Sequence, residues 1–199
     1  TCNDDMEVRE MLPRGVQGEN PAADAEAVLR SVGYRGAEDL PIDATRVAEL
    51  FDANVFWDDL SFDSELDGFV VVRPNGSANI TVNAHHGINR RRFTIAHEFG
   101  HAIRTRAKDR LDGGEAFGFV DDRDTISEDR EFHRDGLATQ GTDPEERYAN
   151  GFAASLLMPA QEVRSFHREN YSAREMARIF RVSESAMIFR LKNLGLVID

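Results

Sequence analysis

The spacing of apolar positions divides the chain into a helical start, a β-rich middle and a helical second half. Residues 1–21 are polar and dotted with Pro13, Gly15, Gly18 and Pro21, which predicts a loosely held arm. Residues 22–30 suit a short helix ended near Gly33. Pro41 opens a second, with Asp43 as N-cap and Val47, Ala48, Leu50 and Phe51 as its apolar face. The period then changes to two. Val55-Phe56-Trp57, Gly68-Phe69-Val70-Val71-Val72 and Asn79-Ile80-Thr81-Val82 read as three strands, with Pro74-Asn75-Gly76 as a turn between the last two.

Asn89 can cap a helix over residues 90–106. Residues 107–142 are acidic, rich in Gly and Asp and without sustained period, which reads as a lid or a disordered insertion. Four helices follow: residues 144–158, stopped by Pro159; residues 160–169; one after Ser172, with Glu175 completing a capping box; and one after Ser183, ending near Gly195. The expected fold is α+β, with a small three-stranded, mostly antiparallel sheet and a helical C-terminal half. The expected organisation is an arm (1–21), a main domain (22–159, with 107–142 as its insertion) and a C-terminal helical segment (160–199) resembling a helix-turn-helix.

Charge narrows the function classes. Asp and Glu outnumber Lys and Arg by 36 to 24, and a net charge of −12 argues against broad phosphate-driven nucleic-acid binding. The lone cysteine, Cys2, allows neither an intrachain disulfide nor a cysteine-based metal site and fits a reducing compartment. No apolar run reaches the ~18–20 residues of a membrane span, so a cytoplasmic protein without membrane partners is expected.

The chemistry concentrates in His97-Glu98-Phe99-Gly100-His101. Positions i and i+4 share a helix face one turn apart, so His97 and His101 can offer both imidazoles to one zinc ion. Glu98 then stands beside the metal, offset from a ligand's place, where it can accept a proton from water as general base and return it to a leaving amine. Chance alone yields this pattern in roughly one per cent of chains of this length. Its apolar flanks, Phe93, Ile95, Ala96, Ala102 and Ile103, describe a half-buried helix rather than a solvated one. Gly100, a poor helix former, implies close packing near the histidines.

A catalytic zinc site needs a third protein ligand. Arg104 and Ala107 stand where an extended motif would place Gly and His, so the ligand comes from elsewhere. Glu146 and Asn150 lie one turn apart on the helix after Pro144. Glu146 can ligate while Asn150 orients a histidine. Equally, Glu146 can serve as the N3 residue of a helix start capped by Asp143. Glu145, Glu131 and His133 are further ligand candidates.

For stabilising an oxyanion the candidates are His85, His86 and Tyr148, with two loop histidines in a turn as the simpler reading of the first pair. Arg90, Arg91 and Arg92 sit at the end of their helix where cations are unfavourable, which calls for a carboxylate or substrate partner unless the face is simply solvated. His133 and His167 read as surface residues. The last two helices carry Arg190 and Lys192 on the second; with so few cations, a hairpin that closes the core is favoured over DNA binding.

Together these residues resemble the ImmA/IrrE family of zinc metallopeptidases. The likeness runs through Asp67-Gly68, Ile80-Thr81-Val82-Asn83 and the string from Arg92 to His101. It resumes from Glu145 to Pro159 and in Phe180-Arg181-Val182-Ser183-Glu184-Ser185-Ala186, Arg190-Leu191 and Leu194-Gly195-Leu196. The resemblance implies a bacterial or phage cytoplasmic protease with a gluzincin-like site, Zn2+ on His97, His101 and Glu146, and Glu98 as catalytic residue. It also implies a protein substrate, a helix-turn-helix transcriptional repressor. The stretch between His101 and Glu146 is longer than usual for the family, and Tyr148 stands where an acidic residue is expected. The rival readings are a non-catalytic metal-binding regulator, or a toxin–antitoxin component, whose C-terminal helices contact DNA or a partner.

Overall fold

The computed structural model describes residues 12–60, 66–112, 117–122 and 144–196. Helix α1 (Pro21–Ser31) starts where Pro21 fits the first turn and Asn20 accepts hydrogen bonds from the Ala22 and Ala23 amides. It ends at Gly33, whose φ of +80° lets Gly33 N reach Arg30 O and Tyr34 N reach Leu29 O. A 3-10 turn (Ala37–Asp39) leads to α2 (Ala44–Glu49), which Asp43 caps as the sequence predicts.

Strands β1 (Ala53–Asp58), β2 (Leu66–Val72) and β3 (Ala78–Asn83) match the three predicted runs. A fourth, β4 (Phe117–Asp122), comes from the stretch that shows no period in sequence. The order is β1-β3-β2-β4, with β1 parallel to β3 and the other two pairings antiparallel. The three-strand expectation is thus corrected to four. Six residues of mixed character carry too little local pattern to announce β4, and its pairing with β2 supplies the backbone partners that define it.

Helix α3 (Ile88–Asp112) crosses the sheet over β2 and β3. It is longer than the predicted 90–106, and Asn89 lies inside its first turn rather than capping it. Its buried face carries Phe93, Ile95, Ala96, Phe99, Ala102 and Ile103. Arg106 is fully buried on the same helix, and its guanidinium donates to the Phe51 and Asp52 carbonyls, fastening α3 to the turn before β1. Helix α4 (Pro144–Leu157) packs between α3 and α1.

Helices α5 (Ala160–Arg168), α6 (Ala173–Phe180) and α7 (Glu184–Asn193) complete the core through Val163, Met176, Phe180, Met187 and Leu191. The Ser172–Glu175 capping box forms as predicted. Residues 12–20, expected in the loose arm, bury Leu12 and Val16 and hydrogen-bond Gln17 N and Gly18 N to the Asp24 carboxylate. A buried carboxylate needs such donors, and this requirement holds the segment against α1. Among the described residues no helix is long and apolar enough to cross a membrane.

Candidate metal centre

His97 and His101 project from one face of α3 with ring centroids 4.8 Å apart and Nε2 atoms 3.1 Å apart, both fully buried. The facing wall is α4, and Gly100 sets its distance. A Cβ built there would lie 3.2 Å from Ala149 Cα and 3.2 Å from Phe152 Cδ1, so only glycine permits this approach without displacement. The close packing expected around Gly100 is thus found, and its partner is the helix that carries Glu146.

Glu146 places Oε2 3.3 Å from His97 Nε2 and Oε1 3.3 Å from His101 Nε2. One turn on, Asn150 Oδ1 accepts a 2.9 Å hydrogen bond from His97 Nδ1. That bond orients the ring so that Nε2 faces His101 and Glu146, where its lone pair would serve a metal once the Nε2 proton is lost. Burial raises the Glu146 pKa, but hydrogen bonds and charge from His101 and His97 outweigh it, and the carboxyl sits below its ordinary range.

The donor spacing tests the fit to a metal. Ligand atoms at zinc bond lengths of about 2.0–2.1 Å on tetrahedral corners stand about 3.3–3.4 Å apart. Here the two Nε2 atoms stand 3.1 Å apart, and Glu146 meets each at 3.3 Å through a different oxygen, Oε2 for His97 and Oε1 for His101. Two imidazoles and one carboxylate, converging from two helices and buried, are the donors zinc takes. The residues fit the ion, and of the two roles open for Glu146 its geometry matches the ligand role.

Glu98 is fully buried on α3 near the start of β2, where a Cβ built on Gly68 would lie 3.5 Å from its Oε1. The same Cβ would fall 2.7 Å from both Thr81 O and Thr94 Cγ2, so glycine is required for β2 to pass this close.

Other predicted residues lie elsewhere. Tyr148 turns its hydroxyl away and donates to Asp24 Oδ2 at 2.7 Å, because a position two residues past Glu146 points to the opposite side of the helix. His85 is exposed beside Asp59, 3.1 Å away. His86 places Nδ1 2.9 Å from buried Asp67, which Arg90 also holds through a 2.8 Å Nε contact. Glu145 pairs with Arg104 and Lys108 on the surface, away from the histidines. Glu131, His133 and Asp143 lie outside the described residues.

The arginine cluster finds partners among the described residues. Arg90 pairs with Asp67, Arg91 stacks over Trp57 at 5.2 Å, and Arg92 donates to the Phe180 and Arg181 carbonyls at the end of α6. Sequence reasoning missed Asp24, Thr94 and the cluster's partner Asp67. For Asp67, its place beside Gly68 at a strand start was the available signal.

Comparison with curated proteins returns no match. The family model for the IrrE N-terminal-like domain, Peptidase_M78, matches residues 56–192, from the second half of β1 to the end of α7. That span takes in both helices of the histidine–glutamate group and more than half of the chain. The chain therefore belongs to the ImmA/IrrE family of metallopeptidase-like proteins.

Proposed function

We propose that this protein is a zinc-dependent endopeptidase that cuts one partner protein, a helix-turn-helix transcriptional repressor, in the bacterial or phage cytoplasm. The observation that carries the chemistry is the convergence of His97, His101 and Glu146 into one buried group, with Glu98 on the helix that bears both histidines. The substrate class rests on the family resemblance.

His97, His101 and Glu146 would hold the ion, with Asn150 keeping the His97 ring in register. When bound, zinc acidifies water and polarises the scissile carbonyl. Glu98 removes a proton from the attacking water and returns it to the departing amide nitrogen, acting as base and then acid. Its burial keeps competing solvent away from that carboxylate.

The test combines metal analysis, Glu98→Gln and co-expression with the product of the neighbouring gene, read by intact mass. Stoichiometric zinc, a cut repressor with the native chain and an uncut one with Glu98→Gln are expected. An intact repressor beside the native chain refutes the substrate assignment; full cleavage by Glu98→Gln refutes the mechanism.

A second reading, a DNA-contacting regulator, draws on Arg174, Arg178 and Arg181, which line the open groove at the α6–α7 junction. Its weight is reduced because Arg190, one of the two cations on α7, is buried. A gel shift that survives Glu98→Gln and is lost on replacing these three arginines would favour it.

A further inference from the structure

Asn150 stands at the border of two faces of α4. One side meets His97; the other lines a cavity of about 290 Å³ closed by the first turn of α1, by Phe93 of α3 and by α7. From α4 the cavity also takes Arg147, Gly151, Ala154 and Met158, and from α7 Phe189, Arg190 and Asn193. The Nε2 of His97 faces the other two donors and its Nδ1 faces Asn150, so this cavity is on the far side of the imidazole from the metal group.

Arg190 is the informative residue. It is only 7% exposed, and among the described residues its sole hydrogen bond runs from Nε to Met158 O at 3.0 Å. A guanidinium has five N–H donors, and with Nε taken by Met158 O the remaining ones can serve an acceptor in the cavity that Arg190 lines. The nearby carboxylate of Glu26 is 3.8 Å from Arg30 and makes its ion pair there. Burial lowers the Arg190 pKa to about 10, so the side chain is cationic at neutral pH. Arg147 adds a second cation to the wall, in a protein whose net charge is −12. At about 30 Å³ per water-sized group, the volume holds on the order of ten non-hydrogen atoms.

We propose that this cavity is a binding site for a small organic carboxylate with an apolar body, seated on Arg190 and Arg147, and that its occupancy is coupled to the metal centre through Asn150 and His97. The binding site stands on its own geometry; the coupling rests on the zinc reading. Coupling of this kind is reciprocal, so zinc must change the affinity for the carboxylate by the same factor that the carboxylate changes the affinity for zinc.

Phenylacetate, with ten non-hydrogen atoms, is a suitable probe, and neutral phenylacetamide is its isosteric control. Calorimetric titration of the full chain is expected to show phenylacetate binding at least tenfold tighter than phenylacetamide. Arg190→Met should weaken phenylacetate at least tenfold. Because that change also removes the bond to Met158, Ala154→Leu provides a second test, filling the cavity while leaving the arginine in place. It should abolish binding with the melting temperature retained.

Equal affinity for the two probes, or native affinity in Ala154→Leu, overturns the site. For the coupling, zinc loading should shift the phenylacetate Kd by threefold or more, and Asn150→Ala should remove the shift. An unchanged Kd in a protein shown to have bound zinc overturns the coupling alone. A protein that binds phenylacetate but no zinc instead refutes the metal reading.

Discussion

Replacing Gly100 with alanine probes the feature that joins the two halves of the metal group. The added Cβ would meet Ala149 Cα and Phe152 Cδ1 at 3.2 Å and Ala149 O at 3.3 Å. Relaxed carbon contacts lie at about 3.5–4.0 Å, so α3 and α4 must part by roughly 0.3–0.8 Å at this point. Helix α4 moves as a unit, and Glu146 sits one turn from Ala149. Its oxygens, 3.3 Å from each Nε2, retreat by a similar amount. Metal sites tolerate about ±0.2 Å.

Overpacking costs about 1–3 kcal/mol, while alanine gains about 1 kcal/mol over glycine inside a helix. The net stability of the metal-free protein should therefore fall by no more than about 2 kcal/mol. Zinc affinity should fall about tenfold or more, equivalent to about 1.4 kcal/mol. Competition against a chromophoric chelator measures the affinity, and thermal unfolding of the metal-free protein measures the stability. Gly151→Ala is the control, since its Cβ meets only Pro21 of α1, on the side away from the histidines. A folded Gly100→Ala protein with native zinc affinity would refute the argument that this contact sets the site.

Asn150→Ala should weaken zinc about 10–100-fold in the same chelator assay with the fold intact, because His97 loses the bond that orients its ring. Tyr148→Phe should cost about 1–2 kcal/mol in denaturant unfolding and leave cleavage unchanged; a large loss of activity in a stable protein would return the hydroxyl to the chemistry. Asp24→Ala should cost more, about 2–4 kcal/mol, since Gln17 N, Gly18 N and the Tyr148 hydroxyl all lose their acceptor. The lowered Glu146 pKa gives an acid limb to the metal-free protein. The contribution is complete above the ordinary value of 4.5 and disappears as pH falls through the lower folded value, so Glu146→Gln should flatten stability against pH in that range. An unchanged acid limb would show that the carboxylate is not held by the two histidines.

Where neighbours in sequence are neighbours in space, the sequence was readable. The His97–His101 spacing, the Asp43 cap, the Ser172–Glu175 box and the turn at Pro74-Asn75-Gly76 all depend on residues within one turn of each other, and all form. Glycine at position 100 signalled a close approach without naming its partner. The helix that carries the histidines and its apolar face follow from a period of 3.6 alone.

Pairings across the chain were decided by the tertiary structure. Strand β4 exists because β2 has a free edge, and β1 joins β3 in parallel after β2 has intervened in sequence. Glu146 suits a helix cap and a metal ligand equally well until α4 is laid against α3. Tyr148 is claimed by Asp24, 124 positions away, and Arg190, charged and placed on a helix that could have faced solvent, is turned inward against Met158. The sequence by itself determined which helix carries the histidines and what chemistry they can support. Only the packing of α4 on α3 brought Glu146 to the two histidines, because burial and long-range contact energies depend on partners that local spacing does not encode.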